Sequence, residues 1–325
     1  MTSRDNNLLN ISELCKIAGV SRSGYYNWVA SEPYRIKCEE NDRQEFEKIL
    51  EAFNHRGYDK GVNGIHMRLL HTGIIMNVKK VRRLMRKFGL KCKIRQANPF
   101  RRMMKALDEC AVAPNAVNRE FTIRGPRKIL LTDITYLKRA DGLFSYLCTF
   151  IDACTKEVLG YALQTSLEVD FVLEAANMML ANHKVELSTQ TISHSDQGSH
   201  YKAKRFEEIL DSAELRRSMS RKANCWDNAP QESFFGHMKD EINLKDCQTH
   251  KQVCEVVDDW IDYYNNERYQ WGLCKLSPRG YYNFVTTGKY PLVVTNPPDM
   301  PVFMTPNNYG NDSDLIAITV MEGDI

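Results

Sequence analysis

The sequence predicts a mixed α/β domain preceded by small all-α units, and three observations carry that prediction. From Lys128 onward, β-branched and aromatic runs are separated by short turns and then alternate with helical segments, the pattern of a mixed sheet with helices. Before Lys128 the apolar residues recur instead at three- and four-residue spacing, as on helices. Charge divides at the same point: residues 1–128 hold 26 Lys+Arg against 13 Asp+Glu, and the remainder holds 18 against 28. A basic part beside an acidic one suits phosphate binding in the first and metal binding in the second.

A chain of 325 residues has room for one to three domains. At 43% hydrophobic and 26% charged residues, its composition is that of an ordinary globular protein with ample core. No apolar run approaches the ~18 residues of a membrane span, and Met1–Asn7 lacks the apolar centre of a signal peptide. A cytoplasmic protein with no membrane partner is expected. The ten cysteines are scattered with no Cys-x-x-Cys pair, so reduced, structural thiols are expected. His66 and His71 lie close in sequence, but Cys92 and Cys110 are too widely spaced to complete a His/Cys zinc site.

Taken in order, Ile11–Trp28 reads as a short helix, a turn at Gly19, and a second helix capped by Ser21. That is helix-turn-helix grammar, with Arg22 and Ser23 at the exposed start; a bare helical hairpin is the alternative. Glu39–Phe53 reads as a helix with Phe46, Ile49, Leu50 and Phe53 on one stripe. Between Lys60 and Leu107 stand 14 Lys+Arg and no Asp or Glu. Within that stretch Val78, Val81, Leu84, Met85 and Phe88 keep helical spacing, and Gly89 is placed to end the helix. Lys79, Lys80, Arg82, Arg83, Arg86 and Lys87 fill its other face. Unopposed positive charge repels itself unless phosphates answer it, so these six are predicted to contact DNA.

Strands are predicted over Ile129–Leu137, Phe144–Asp152 and Val158–Gln164, joined by turns at Asp141-Gly142 and Thr155-Lys156. A helix over Glu168–Asn182, a buried strand at Thr189–Ser195, a helix near Ala203–Ala213 and a strand at Leu215–Met219 follow. A helix then starts where Asn228-Ala229-Pro230 precedes Gln231-Glu232, since Pro is favoured in a helix's first turn. A last helix lies within residues 247–269, its stripe formed by Val253, Val256, Val257, Trp260, Ile261 and Tyr264.

Three acids stand out on this scaffold. Asp133 interrupts an apolar strand, Asp196 ends another, and Glu232 sits at a helix N-terminus, where the macrodipole favours a carboxylate. A carboxylate in a buried strand is costly unless a cation or hydrogen bonds meet it, and a shared divalent metal is the simplest answer. Oxygen-only ligands suit Mg²⁺ or Mn²⁺. The alternative is three unrelated acids, two of them ordinary caps. Asp152, also at a strand end, reads as a turn cap before Ala153-Cys154-Thr155, with a fourth site acid as the other option. His194 shares the sheet face of Asp196 by strand alternation and, with Asn228, is a candidate to support the acids.

Specific blocks accompany the three acids: Thr132-Asp133-Ile134-Thr135-Tyr136, His194-Ser195-Asp196-Gln197-Gly198-Ser199-His200-Tyr201, and Asn224-Cys225-Trp226-Asp227-Asn228-Ala229-Pro230-Gln231-Glu232-Ser233-Phe234-Phe235. Ser218–Lys222, Lys239-Asp240-Glu241, Tyr263–Arg268 and Leu276-Ser277-Pro278 complete the set. Together they resemble the DDE transposases of the two-frame, copy-and-paste group of bacterial insertion sequences, in particular its second-frame, integrase-like product. The resemblance implies a ribonuclease-H-like catalytic domain in which Asp133, Asp196 and Glu232 bind two Mg²⁺ or Mn²⁺ ions. It implies metal-dependent strand cleavage and 3′-OH strand transfer, with one end first joining beside the other to give a circle. It also implies a second helix-turn-helix in the basic region that grips the terminal inverted repeats. The match there is partial, because Lys60-Gly61 stands where the family usually has an aromatic-Gly pair.

Lys239, seven residues after Glu232 and on the same helix face, is placed to hold a phosphate. The implied partners are inverted-repeat and target DNA, further copies of the chain on DNA, and an upstream-frame protein or fusion, in the bacterial cytoplasm at the nucleoid. The rival functions are a ribonuclease-H-like nuclease without joining activity and a catalytically inert DNA-binding regulator. The expected organisation is 1–58 helical with helix-turn-helix, 59–107 basic DNA-binding region, 108–127 linker, 128–284 catalytic core, and 285–325 a Pro-rich, loosely ordered, acidic-ended tail with one strand at Leu315–Met321.

Overall fold

Helix α1 (Ile11–Ile17) begins at Asn10, whose side chain accepts from the Glu13 N–H while Glu13 reaches back to the Asn10 N–H. The computed structural model describes residues 10–57, 61–92, 124–196, 198–219 and 229–303, and the chain divides into two units, Met1–Cys92 and Lys93–Ile325. In the first unit α2 (Arg22–Ala30) is capped as the sequence predicts: Ser21 Oγ accepts from the Gly24 N–H at 3.0 Å. The long α3 (Glu32–Asn54) packs its second half against α4 (Val62–His71) and α5 (Val78–Lys87). Ile49, Ala52, Ile65, Leu69, Val81 and Leu84 form that core, and Phe46 stacks on Phe88 with ring centroids 4.4 Å apart. Leu50, expected on the buried stripe, is exposed; Ala52 takes a place in the core instead. Asn77 caps α5, and Gly89 ends it at φ +70°, a conformation that suits glycine.

The second unit is built on a five-stranded sheet of β1 (Ile129–Lys138), β2 (Phe144–Asp152), β3 (Val158–Gln164), β4 (Ile192–Ser195) and β5 (Arg216–Met219). Their order across the sheet is β3-β2-β1-β4-β5. The first three form the antiparallel meander expected from their alternation, and β4 then lies parallel to β1 on the meander's open side. One face, carrying Leu130, Cys148 and Phe150, packs on α6 (Val169–His183) and α7 (Lys204–Ser212) through Phe171, Ala175, Met179, Phe206 and Leu210. Gly160 on β3 permits the close approach of α6, for a Cβ there would stand 2.7 Å from the Met179 backbone nitrogen.

The other face carries α8 (Ala229–Glu241) and α9 (His250–Asn266). Tyr161 of β3 donates to Asp258 of α9 at 2.9 Å, and Ser145 of β2 meets His250 at 3.0 Å. Phe234 of α8 packs between Trp260 and Tyr264, at 5.4 and 4.9 Å between centroids, so the α9 aromatics are core as expected.

A further helix, α10 (Pro278–Thr287), was not expected. Ser277 caps it and Pro278 opens it, a start signal present in the sequence. The expectation of a loosely ordered tail from residue 285 does not hold for 285–303. There Tyr290, Leu292 and Phe303 pack against Leu273, Tyr281 and Phe284, and the Tyr290 hydroxyl donates to the Cys274 carbonyl at 2.8 Å. The strand expected at Leu315–Met321 lies outside the described residues. Among the described residues no helix is long and apolar enough to cross a membrane.

Candidate active site

The parallel pairing of β1 and β4 runs toward the first two acids. Its last pair is Leu131 with His194, and Asp133 and Asp196 each follow two residues further along their own chain segments. Side chains alternate along a strand, so Asp133 falls on the face of Leu131, the face that His194 shares across the pair, and Asp196 follows directly on the end of β4. Laterally paired strands lie about 4.8 Å apart, which is the scale of the separation between the two backbones. The residue before Asp133 is anchored on the opposite face: Thr132 Oγ1 meets the buried Tyr201 hydroxyl at 3.2 Å and Cys148 Sγ at 3.7 Å. Burial pushes both the Tyr201 phenol and the Cys148 thiol up, so both stay neutral and hydrogen-bond without charge.

Asp196 is exposed just past the end of β4, and its Oδ1 accepts from the Gly198 N–H at 2.9 Å. A Cβ at position 198 would itself stand 2.9 Å from that oxygen. The Asp-x-Gly spacing thus suits a backbone that folds back on the carboxylate, where an added Cβ would push the Asp196 side chain aside.

The third acid is delivered by α8. Gln231, fully buried, donates from Nε2 to Thr149 Oγ1 on β2, and Thr149 is the cross-strand partner of Asp133. Opposite residues of an antiparallel pair point to the same face, so the first turn of α8 is pinned over the face that bears Asp133. Glu232, the next residue, is exposed in that turn. Lys239 lies on the same helix; burial lowers the pKa of its ammonium group, and the Asp133 carboxylate pulls it back up, so the field of one reaches the other. Glu232 in the first turn of α8 and Lys239 two turns on thus share one helix, with Lys239 in the field of Asp133.

The last residue of α8 is structural. Glu241 accepts from the Trp260 indole at 3.0 Å and from the Arg268 Nη2 at 2.7 Å, locking α8 to α9. Asn265, from the same sequence block as Arg268, clasps the Val158 backbone with two hydrogen bonds of 2.9 Å. These partners are 19, 27 and 107 residues apart in sequence, and no local pattern announces them.

His194 is buried, and its Nδ1 meets Ser218 Oγ at 3.1 Å across the β4–β5 pair. Asp152 pairs with Leu130 and so belongs to the opposite face from Asp133. Its carboxylate accepts from the Cys154 N–H, the Thr155 hydroxyl and both the backbone and guanidinium of Arg127, as a turn cap with a cation against it. Burial pushes the Asp152 carboxyl up and Arg127 opposes that. Asn228 lies outside the described residues.

The three carboxylates offer only hard oxygen donors, which match Mg²⁺ or Mn²⁺ in kind. Among the described residues no three His, Cys, Asp or Glu side chains are already drawn close enough to hold a metal. Asp133 thus lies on β1, Asp196 just past the end of the adjacent β4, and Glu232 in the first turn of a helix pinned to the face of Asp133.

In the first unit the basic helix α5 divides into two stripes. Lys80, Arg83 and Lys87 turn to α3: Arg83 grips Asp42 with two bonds of 2.7 and 2.8 Å, Lys87 bonds Asp42 at 2.8 Å, and Lys80 pairs with Glu45. Arg83 first and Lys87 second hold the Asp42 carboxyl well below its usual range. The premise that this stretch is unopposed therefore fails for three of the six, because the answering acids lie some 40 residues upstream. Lys79, Arg82 and Arg86 are exposed and, with Arg83 and Lys87, line a surface groove of about 370 Å³.

Comparison with known proteins matches residues 124–225 and 232–285 to integrase core domains and residues 39–98 to an HTH-like domain. A 31 kDa protein of insertion element IS600 from Shigella sonnei is 32% identical over 271 residues, covering 82% of this chain and 97% of that protein. The transposase InsF of insertion sequence IS3A from Escherichia coli is 30% identical over 267 residues, covering 81% of this chain and 90% of that protein. The chain belongs to the family of insertion-sequence transposases. A solved structure of the HTLV-2 integrase catalytic core domain in complex with magnesium shares 15% identity with this transposase, covering 48% of the chain and 97% of that structure with a TM-score of 0.37. The expected ribonuclease-H-like mixed sheet with a helical, HTH-like region before it is what the transposase has, and its two parts imply DNA as partner.

Proposed function

We propose that this transposase cleaves and joins the ends of its own insertion sequence, with Asp133, Asp196 and Glu232 holding two Mg²⁺ or Mn²⁺ ions. The observation that supports the reading is the framework: β1 and β4 pair side by side, with Asp133 on one and Asp196 just past the end of the other, and Gln231 pins the Glu232 turn to Asp133's cross-strand partner. Divalent ions bound there would ease activation of the attacking oxygen and stabilise charge on the leaving oxygen. In the first step a water oxygen bonds to phosphorus at the element end as the P–O3′ bond breaks, leaving a 3′-OH. That hydroxyl oxygen then attacks a second phosphodiester, gives its proton to solvent and displaces another 3′ oxygen, so no protein–DNA bond forms. Lys239 holds non-bridging oxygens of an adjacent phosphate.

The helix-turn-helix region supplies the grip on the terminal repeats, through Lys79, Arg82 and Arg86 with Lys80, Arg83 and Lys87 contributing at the rim. The transposase acts in the cytoplasm, at the nucleoid, as a homo-oligomer on DNA, alone or fused to an upstream-frame product. No observation favours the nuclease or the inert regulator. The test is cleavage and joining of end DNA by Asp133→Asn, Asp196→Asn and Glu232→Gln. Each loses both reactions while keeping end binding; Mg²⁺-dependent cleavage retained by any one removes that residue from the set. Lys239→Glu joins pre-cleaved ends far more slowly at unchanged metal requirement, and joining at the parental rate would discard its phosphate contact.

A further inference from the structure

We infer that the buried Gln231–Thr149 hydrogen bond is a positioning device that sets where Glu232 meets Asp133, an inference that rests on the metal-site reading above. Gln231 and Thr149 are both fully buried, and Gln231 Nε2 donates to Thr149 Oγ1. On one side of this bond Thr149 stands opposite Asp133 in the β1–β2 register. On the other, Gln231 is bonded directly to Glu232, whose Cα is therefore about 3.8 Å away. The contact joins the helix of one acid to the strand paired with that of another.

Between this bond and the Glu241 clasp at its far end, α8 is held by apolar side chains: Phe234, Phe235 and Met238 are buried, with Phe234 against Trp260 and Tyr264. Such contacts are non-directional and permit small slides and rotations of a helix. A hydrogen bond with its distance and angle preferences does not. Stability alone gives no reason for the amide. Gln231 Oε1 is buried with no hydrogen-bond partner among the described residues, and an unsatisfied buried polar atom costs free energy. A leucine there would remove that orphan oxygen but leave the buried Thr149 hydroxyl without its partner, so the two costs largely offset. What it would lose is the fixed distance between the Glu232 turn and β2.

The experiment measures Mn²⁺ binding to the full chain without DNA, by electron paramagnetic resonance, alongside thermal unfolding. Supporting groups behind metal ligands typically matter by 10- to 100-fold in affinity, so Thr149→Val and Gln231→Leu are expected to weaken Mn²⁺ by about tenfold. Gln231→Leu changes the melting temperature little, and Thr149→Ser, which keeps the hydroxyl, binds Mn²⁺ like the parent. In cleavage assays the Mg²⁺ needed for half-maximal rate rises by the same factor, with the rate at saturating Mg²⁺ nearly recovered. Mn²⁺ affinity unchanged in both Thr149→Val and Gln231→Leu overturns the inference, whatever happens to stability. Asp133→Asn separates the two levels. If it loses Mn²⁺ while Thr149→Val and Gln231→Leu do not, only the positioning role falls; if it binds Mn²⁺ normally, the metal-site reading falls with it.

Discussion

Gly198→Ala probes the site without touching a carboxylate. The added Cβ would stand 2.9 Å from Asp196 Oδ1. Ordinary carbon–oxygen contact begins near 3.4 Å, so the carboxylate or the loop must give by about half an ångström. The backbone at Gly198 has φ −56°, which alanine adopts freely, so strain at the backbone does not confuse the outcome. The 2.9 Å bond from the Gly198 N–H to Oδ1 would lengthen with that shift. A misplacement of about 1 Å can cost about 100-fold in rate, so half of that predicts about a tenfold loss of strand cleavage. The assay is single-turnover cleavage of end DNA at saturating Mg²⁺, with the melting temperature as control. The loss should appear with stability within a degree or two of the parent, since the loop is exposed. Parental cleavage by Gly198→Ala would refute the claim that the glycine exists to make room for the Asp196 carboxylate.

The two stripes of α5 should separate in a salt titration of end-DNA binding. Arg82→Ala and Arg86→Ala each reduce the slope of log affinity against log salt by about 0.9, the value for one lost phosphate contact. Arg83→Ala changes the slope less and lowers thermal stability, because it strips Asp42 of its bidentate partner; equal slope changes for all three would abolish the division. The same Asp42 contributes a pH dependence. Arg83 and Lys87 depress its carboxyl pKa in the fold, so its stabilisation is fully present above the unfolded value near 4 and is lost as pH falls below it. Asp42→Asn should flatten that part of the acid-unfolding profile, and an unchanged profile would show the ion pairs to be inert.

The sheet was legible because its signals are local. Apolar alternation and the turns at Asp141-Gly142 and Thr155-Lys156 mark β1, β2 and β3, and the structure places all three there. The acids were legible for a different reason: Asp133 in an apolar strand and Glu232 after Pro230 are each locally anomalous. What holds them in place was not legible. Gln231 and Thr149 are 82 residues apart, and nothing around either marks it as a partner. The charge of α5 misled in the same way, for its acids lie on α3, from Glu45 opposite Lys80 to Glu39 opposite Lys87, 48 residues away. The missed α10 had its signal in Ser277-Pro278, but Gly280 and the β-branched Val285-Thr286-Thr287 weaken its helical propensity, and packing on Leu273 and Leu276 decides it.

The central claim is that Asp133, Asp196 and Glu232 close on divalent metal, and the most direct test is crystallographic. Crystals of the transposase soaked in Mn²⁺ and measured at the manganese absorption edge would show where the ions bind. Anomalous peaks within about 2.3 Å of carboxylate oxygens of Asp133 and Asp196, with Glu232 turned in on at least one of them, are predicted. Manganese bound elsewhere, with none between β1 and β4, would contradict the account.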